Sequence, residues 1–405
     1  MPRALRLILA FWPGLLFAYG YAGWRLYHAL LTVLTSPPDH LVGYFIAGIA
    51  FLNLYPFVLL LLRLLQADKL RDAVGAGTRW GDVLLAYPFW FGVILVLEVV
   101  PWLMLLDFLK LPFYPLYIRL GTQWFFVVRH VMVVLFLGYA VYVLARVVHD
   151  TVFITVKKIR IRIGTLPAGV RDLRIVHVSD LHADMRTRTR KLSRYVRKIN
   201  KLKPDVVFFT GDLVTSGSDH VAQAAKILGS IDAKQGVFAC IGDHDDWAGR
   251  EMVVQSLTGH GITVLQDTNR FVYPCGVSLL VTAITNIYQQ RPNLDKLNFL
   301  MGQQPRGTLD IAITHQPSET LVELAAERGY HLLLAGHAHG GQIVLRPFGL
   351  PFTLAKFESP FYRGTRYVGR MLLNINNGLG LTLAPVRYHA PVEISLIRLA
   401  GRESR

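Results

Sequence analysis

The sequence predicts a helical membrane part of four spans followed by an α/β domain, built as a two-sheet sandwich flanked by helices. Three observations carry this prediction. The 405-residue chain is 52% hydrophobic with a mean hydropathy of +0.37, too apolar for an ordinary soluble protein. Its long apolar stretches all fall before residue 150. Beyond that point short β-branched runs alternate with helical patterns, as in a sheet covered on both faces. The expected division is therefore a transmembrane helical part, 1–150, and a globular domain, 151–405.

Four stretches in the first part, near 7–24, 42–62, 83–106 and 124–145, have the length a helix needs to cross a hydrocarbon core. Arg3 and Arg6 precede the first as in a signal peptide. No small-residue cleavage site follows, so it reads as a retained helix. The basic residues set the orientation: Arg63, Lys69, Arg71 and Arg79 lie in the second loop, and Arg146, Lys157, Lys158, Arg160 and Arg162 after the last span. The first loop has mainly Arg25, and the third only Lys110 and Arg119. Basic loops stay on the cytoplasmic side, which puts both termini and the globular domain inside a cell inner membrane. Glu98 and Arg129 fall at similar depth in neighbouring spans. Either they pair, or Arg129 reaches the interface. Pro88 and Pro101 predict a kinked third helix.

Most of the net charge of +16 sits beyond residue 150, which suits an anionic partner without requiring one. Only Cys240 and Cys275 are present, excluding a disulfide framework and a thiolate zinc site.

In the second part, 153–163 alternates as a half-buried strand and breaks at Gly164 and Pro167. Strands at 173–178, 206–210 and 236–241, with helices near 190–202 and 220–228, give a βαβαβ pattern. Later strands near 262–265, 278–282, 309–314, 331–335, 370–374 and 393–398 suggest a second sheet.

Potential metal ligands follow the strands in order. The first strand ends in Asp180-Leu181-His182, the second in Gly211-Asp212, and the third in Gly242-Asp243-His244-Asp245. Two later ones end in His315 and in Gly336-His337-Ala338-His339. Loops beyond strand C-termini are where α/β sites assemble. Each cluster alone is an ordinary loop feature; five in order are a specific signal. Oxygen and imidazole donors without thiolate suit two divalent metal ions drawn from Mn, Fe, Zn or Co, with Asp212 as the natural bridge. Such a pair binds a phosphoryl oxygen and lowers the pKa of a bridging water to give the attacking hydroxide.

This ordered set resembles the calcineurin-like metallophosphoesterases, whose signature runs D-x-H, G-D, G-N-H-[DE], H and G-H-x-H. The resemblance covers about residues 150–400 and implies a four-layer αββα fold with phosphoester hydrolysis. It further implies that Asp180, His182, Asp212 and His339 hold one metal and that Asp212, Asp243, His315 and His337 hold the other. His244 would be the catalytic histidine facing the leaving group. Asp243 departs from the usual Asn, adding a negative charge that tightens metal binding but reduces Lewis acidity. The downstream context Gly340-Gly341-Gln342, Gly378-Leu379-Gly380 and Pro385-Val386-Arg387 looks like the membrane-associated bacterial branch. Some members of the broader family cleave the pyrophosphate of UDP-2,3-diacylglucosamine. Asn377 stands where that branch often has Arg.

Nine basic residues and no acidic one lie between Arg186 and Lys203, while Leu192, Tyr195, Val196, Ile199 and Leu202 recur at helical spacing and should face the core. The basic face reads equally as a contact for anionic lipid or as a solvated surface. Tyr195 is its only aromatic residue, which argues against a nucleic-acid groove. Three functions follow: a hydrolase of a lipid or amphipathic phosphoester beside the bilayer, a phosphoesterase for soluble nucleotides, and a non-catalytic metal-binding scaffold.

Overall fold

In the computed structural model of the chain, every residue is described except 1–2, 68, 71–73, 75–76, 113–114, 116–117, 119–120, 165, 167–169, 171, 303–305 and 402–405. Arg71, Arg119 and Pro167 thus lie outside the described residues. Two compact units form. One is Met1–Thr151 with Ile343–Phe352 and Leu383–His389; the other is Val152–Gln342, Thr353–Thr382 and Ala390–Arg405. The first unit therefore takes up two short segments from the second half of the sequence, which apolar patterning alone did not announce.

The first unit is helical. Its elements are α1 (Arg3–Val33), α2 (Leu41–Leu52), α3 (Leu54–Leu64), α4 (Tyr87–Lys110) and α5 (Gly121–Val152). Among the described residues two helices, Asp82–Lys110 and Phe126–Val152, are long and apolar enough to cross a membrane. The α2–α3 pair is bent by 58° and counts as a third span if it is one broken crossing. Four spans are thus more than these helices establish. Asn53 marks the bend, its Nδ2 donating to Ile49 O at 2.8 Å. Pro88 is the seventh residue of the continuous Asp82–Lys110 helix and directly follows a π-turn over Asp82–Ala86, the local departure from α geometry that usually accompanies an interior proline.

Of the two alternatives for Glu98 and Arg129, the ion pair does not form. Glu98 is fully buried and accepts hydrogen bonds from Tyr139 Oη at 3.1 Å and Arg346 N at 2.6 Å. Arg129 instead donates to Thr32 Oγ1. A buried carboxylate needs hydrogen-bond donors more than it needs one particular charge, and here a backbone N–H of the Ile343–Phe352 segment serves.

The second unit holds two six-stranded sheets. The first has the order β1-β12-β2-β3-β4-β5, from β1 (Thr155–Arg162), β2 (Leu173–Val178), β3 (Val206–Phe209), β4 (Val237–Ala239), β5 (Ile262–Val264) and β12 (Glu393–Ala400). The second has the order β10-β11-β9-β8-β7-β6, from β6 (Thr268–Val272), β7 (Leu279–Ile284), β8 (Leu309–Thr314), β9 (Leu332–Ala335), β10 (Gly364–Val368) and β11 (Met371–Ile375). The strands at 262–265 and 393–398, expected in the second sheet, belong to the first. A buried strand carries the same apolar pattern in either sheet, so sequence alone does not assign it.

Alternation along each strand builds four layers. Ile175, Phe208, Val281 and Ile311 point between the sheets. Val176, Val178, Val207 and Phe209 point outward onto α6 (Thr189–Asn200), α7 (Val221–Leu228) and α8 (Asp243–Gly259). On the far side Ile284, Ala312 and Leu333 pack under α9 (Leu294–Gly302) and α10 (Glu319–Glu327). The basic helix α6 buries Leu192, Tyr195, Val196 and Ile199, the face its spacing predicts. At the edge, β1 alternates Ile159 and Ile161 inward with exposed Lys158, Arg160 and Arg162, and charge on an edge strand discourages pairing with other chains.

Candidate metal centre

The parallel strands β2, β3 and β4 of one sheet and β8 and β9 of the other end at the same place, and each terminus delivers one expected motif. Five of the seven expected ligands, Asp180, His182, Asp212, His337 and His339, have φ between 44° and 70°. That left-handed region is uncommon for residues with a Cβ and costs on the order of 1–3 kcal/mol each. Two glycines permit the close approach. A Cβ on Gly211 (φ 89°) would lie 2.6 Å from Gly242 N and 2.9 Å from His315 Nδ1. One on Gly336 would lie 2.5 Å from Asp180 Oδ2, an oxygen that instead accepts from His337 N at 3.1 Å.

All seven expected ligands and His244 are brought together. Asp180, His182 and His339 form one group with ligand atoms within 4.8 Å of one another, and Asp243, His315 and His337 form a second. Asp212 lies between them: its Oδ2 is 3.4 Å from His182 Nε2 and 3.3 Å from His315 Nε2. His244 also groups with His182 and Asp212, so its place beside the ligands rather than among them follows from the resemblance.

The donor set fits divalent cations. Asp180 Oδ1 is buried and takes no hydrogen bond, although His339 Nε2 lies 3.4 Å away. His182 Nε2 and His339 Nε2 face each other at 2.9 Å. His315 Nδ1 lies 2.7 Å from the Thr210 carbonyl; a carbonyl only accepts, so Nδ1 carries the proton and Nε2 points its lone pair into the cluster. Such an outer hydrogen bond typically fixes the tautomer of a metal-binding histidine. His337 turns Nδ1 to Asp243 Oδ2 at 3.0 Å and Nε2 to Glu358 Oε1 at 3.2 Å.

Charge in the cluster is finely opposed. Burial, countered by His315 and reinforced by Asp212, pushes the Asp180 carboxyl up to about 6. For Asp212 and Asp243 burial also pushes upward, but His315 and its neighbouring imidazoles outweigh it and hold both well below the usual carboxylate range. The same contacts overcome burial at His315 and hold it well above its ordinary value. Three carboxylates this close demand positive charge, which protonated imidazoles or divalent cations supply.

Three supporting residues were not assigned roles from the sequence. Asp245 is fully buried, and its carboxylate accepts from the backbone N–H of Asp212, Leu213 and Gly242 at 2.8, 2.7 and 3.0 Å. It ties the β3 loop to the β4 loop. Gln316 Nε2 donates to Asp243 Oδ2 at 2.7 Å and Tyr288 N to Asp243 Oδ1 at 2.6 Å. Both oxygens of Asp243 therefore act as acceptors, a role one end of an Asn could not fill. The second acid of G-D-H-D was the visible signal for Asp245; the other two had none.

His244 donates its backbone N–H to Asp212 Oδ1 at 2.9 Å, and its Nδ1 meets the Thr215 carbonyl at 2.5 Å. Nδ1 therefore bears a proton and Nε2 is the nitrogen available for chemistry. Its ring lies 4.7 Å from that of His182 and 4.6 Å from that of Trp247.

A two-sheet α/β layering with clustered Asp and His at converging strand ends is a scaffold for divalent-metal chemistry. The family model described as Calcineurin-like phosphoesterase matches residues 173–341, and this part of the chain is a calcineurin-like metallophosphoesterase domain. The chain is similar to "Uncharacterized metallophosphoesterase Cj0846" of Campylobacter jejuni, 27% identical over 244 residues, 59% of this chain and 62% of that protein. It is 26% identical over 243 residues to "Uncharacterized metallophosphoesterase YkuE" of Bacillus subtilis, 59% of this chain and 83% of that protein. A "Transmembrane protein with metallophosphoesterase domain" from Danio rerio is 28% identical over 254 residues, 60% of this chain and 56% of that protein. The match thus spans less than two thirds of the first and third relatives. Two of the described helices are long and apolar enough to cross a membrane, and the relative from Danio rerio is named as a transmembrane protein.

Proposed function

We propose that this protein hydrolyses a phosphoester or pyrophosphate of a membrane lipid or amphipathic precursor, with two divalent cations held on either side of Asp212. One observation supports the choice of substrate class: exposed aromatic and aliphatic side chains stand beside the cluster on one side. Trp247 (55% exposed) stands against His244, and Tyr288 packs its ring 5.3 Å from that of His337. The turn bearing Leu354 and Phe357 (78% exposed) is tied to the His339 turn by Thr353 Oγ1 donating to Gly341 O at 3.0 Å. Trp247 and Tyr288 would also stack on a nucleotide base, so Leu354 and Phe357 are the residues that favour an acyl or isoprenoid tail, which buries against them.

Asp180, His182, Asp212 and His339 would hold one cation, and Asp212, Asp243, His315 and His337 the other. Bound there, divalent cations polarise phosphoryl oxygens and lower the pKa of an attacking water. The protein supplies the rest. Asp245 fixes Asp212 through the backbone, so the bridging carboxylate keeps its place. His244, with Nδ1–H held by Thr215, presents Nε2 towards the reacting phosphoryl group and, when protonated, gives its proton to the leaving oxygen. The basic residues of α6 and of β1 favour an anionic membrane surface, and the orientation with the domain on the cytoplasmic face belongs to the same reading.

The test is hydrolysis by the full-length protein in detergent with added Mn, over a p-nitrophenyl ester, soluble nucleotides and UDP-2,3-diacylglucosamine. Turnover of the lipid substrate, abolished in Asp212→Ala and lowered roughly 10²–10⁴-fold in His244→Ala, is expected. Turnover of soluble nucleotides alone would overturn the lipid reading, and no turnover with two metals bound would favour a scaffold.

A further inference from the structure

The segment Ile343–Phe352 belongs to the helical unit and has no part in the reaction described above. It contains a short hairpin. Leu345 and Phe352 exchange backbone hydrogen bonds of 2.9 and 2.8 Å, and a 3₁₀ turn at Pro347–Gly349 forms the tip. The tip is apolar and uncovered: Leu350 is 69% exposed, and Phe348 and Phe352 are exposed beside it. Phe348 holds its place at φ 57°, a left-handed conformation uncommon for a residue with a Cβ. Strain of this kind, spent on presenting an aromatic ring outward, points to a surface that receives it.

Two observations identify that surface. The first is the neighbour of the tip. Phe348 packs its ring 4.7 Å from that of Trp102, on the Asp82–Lys110 helix that is long and apolar enough to cross a membrane. Trp102 lies about 12 Å along the axis from the Lys110 end, deeper than a headgroup layer. Past it the same helix leaves Met104, Leu106 and Phe108 exposed. The second observation is the backbone of the hairpin. Hydrocarbon tolerates non-helical chain only where its polar groups are bonded within the protein. Here the Gly349 and Leu350 N–H groups donate to the Arg346 and Pro347 carbonyls at 2.9 and 3.1 Å. The Arg346 N–H donates to the buried Glu98 carboxylate at 2.6 Å, and Pro347 and Pro351 have no N–H to satisfy. A loop in water can leave such groups to solvent. Arg346, the one charged residue of the segment, is exposed, and its long side chain can carry the charge towards headgroup phosphates.

We infer that the Leu345–Phe352 hairpin is inserted in the lipid bilayer beside α4, with Phe348 and Leu350 among the acyl chains. The inference rests on the membrane reading of the helical unit and adds to it a non-helical element that enters the bilayer from a part of the sequence with no membrane-length apolar stretch.

Fluorescence quenching of the full-length protein in phosphatidylethanolamine and phosphatidylglycerol nanodiscs tests it. A cysteine-reactive NBD label is placed at Leu350→Cys, or at Val134→Cys on α5, each in a Cys275→Ser background; Cys240 is buried. Wild type labelled at the exposed Cys275 sets the aqueous limit. A nitroxide carried on the lipid acyl chain should extinguish most of the emission from Leu350→Cys and from Val134→Cys, and iodide should leave both unchanged. Lipid quenching at Val134→Cys with iodide quenching at Leu350→Cys would overturn the hairpin insertion while leaving the membrane reading standing. Shielding of the Leu350 label from both quenchers would mean that protein, such as a second copy of the chain, covers the tip, and would overturn it equally. Iodide quenching at both positions would sink the membrane reading and the insertion with it.

Discussion

Asp245 is placed to influence metal affinity through the backbone rather than as a ligand. Its two oxygens collect three backbone N–H groups from two loops, and one of those groups belongs to Asp212 itself. Burial and the nearby Asp212 charge push its carboxyl up to about 7, against the pull of those donors. Replacing it with Asn leaves the volume but offers one acceptor oxygen in place of two, so either the Leu213 N–H or both the Asp212 and Gly242 N–H groups lose their partner. Supporting hydrogen bonds of this kind are typically worth ~10–100-fold in metal affinity. Asp245→Asn should therefore weaken divalent-metal binding by about that factor in a metal titration followed by calorimetry, while thermal unfolding of the metal-loaded protein stays cooperative. The clustering of the candidate ligands was legible in the sequence because each follows a strand as a short motif. Gln316 and Tyr288 were not, since their bonds to Asp243 join positions 73 and 45 residues away and leave no local pattern.

At the scale of elements, β2 connects the core to the site through a buried polar cross-link. His177 lies on β2 and is fully buried. It pairs Nε2 with Thr210 Oγ1 at 3.0 Å and Nδ1 with Asn374 Nδ2 at 2.8 Å. Asn374 sits on β11, so the bridge ties the two sheets together. The amide of Asn374 donates to Nδ1, which requires a neutral ring with its proton on Nε2. Burial, with Lys157 adding to it, pushes the His177 pKa down to about 3. Its folded value is thus below its unfolded value near 6.5, so the unfolded chain binds more protons as pH falls. Stability contributed by the neutral ring is full above pH 6.5 and declines as the pH falls from there towards 3. In His177→Gln, unfolding midpoints recorded across that window should fall less steeply with acid than in wild type; identical slopes would mean that the ring does not govern the decline. No single-sequence pattern marks this bridge, because a histidine within an apolar strand reads as an interruption. The layering was legible from the short continuous apolar runs of β2, β3, β7 and β8, whereas the short or half-exposed strands β6 and β10 carried too little apolar signal to be expected. The bent α2–α3 pair shows the same limit in the helical unit, where one apolar stretch became two helices at Asn53.

At the scale of the whole molecule, the remaining question is which side of the membrane the metal centre faces. The proposed cytoplasmic placement rests on the loop and post-span residues Arg63, Lys69, Arg146, Lys157 and Lys158 and on the charge bias of short loops. That bias is a matter of insertion energetics, so it is tested by topology rather than by activity. The chain carries a reporter: Cys275 is exposed in the metallophosphoesterase unit, whereas Cys240 is buried beneath the site. Burial pushes the Cys240 thiol up to about 12, which keeps it protonated and unreactive at neutral pH. A membrane-impermeant maleimide therefore reads Cys275 selectively. In intact cells the protein should remain unlabelled, and after lysis it should take up one label that Cys275→Ser abolishes. Labelling of intact cells, lost in Cys275→Ser, would place the metal centre on the outer side. It would also mean that the basic face of α6 meets the outer surface rather than the inner leaflet, removing the inner-leaflet lipids from the substrates proposed for this site.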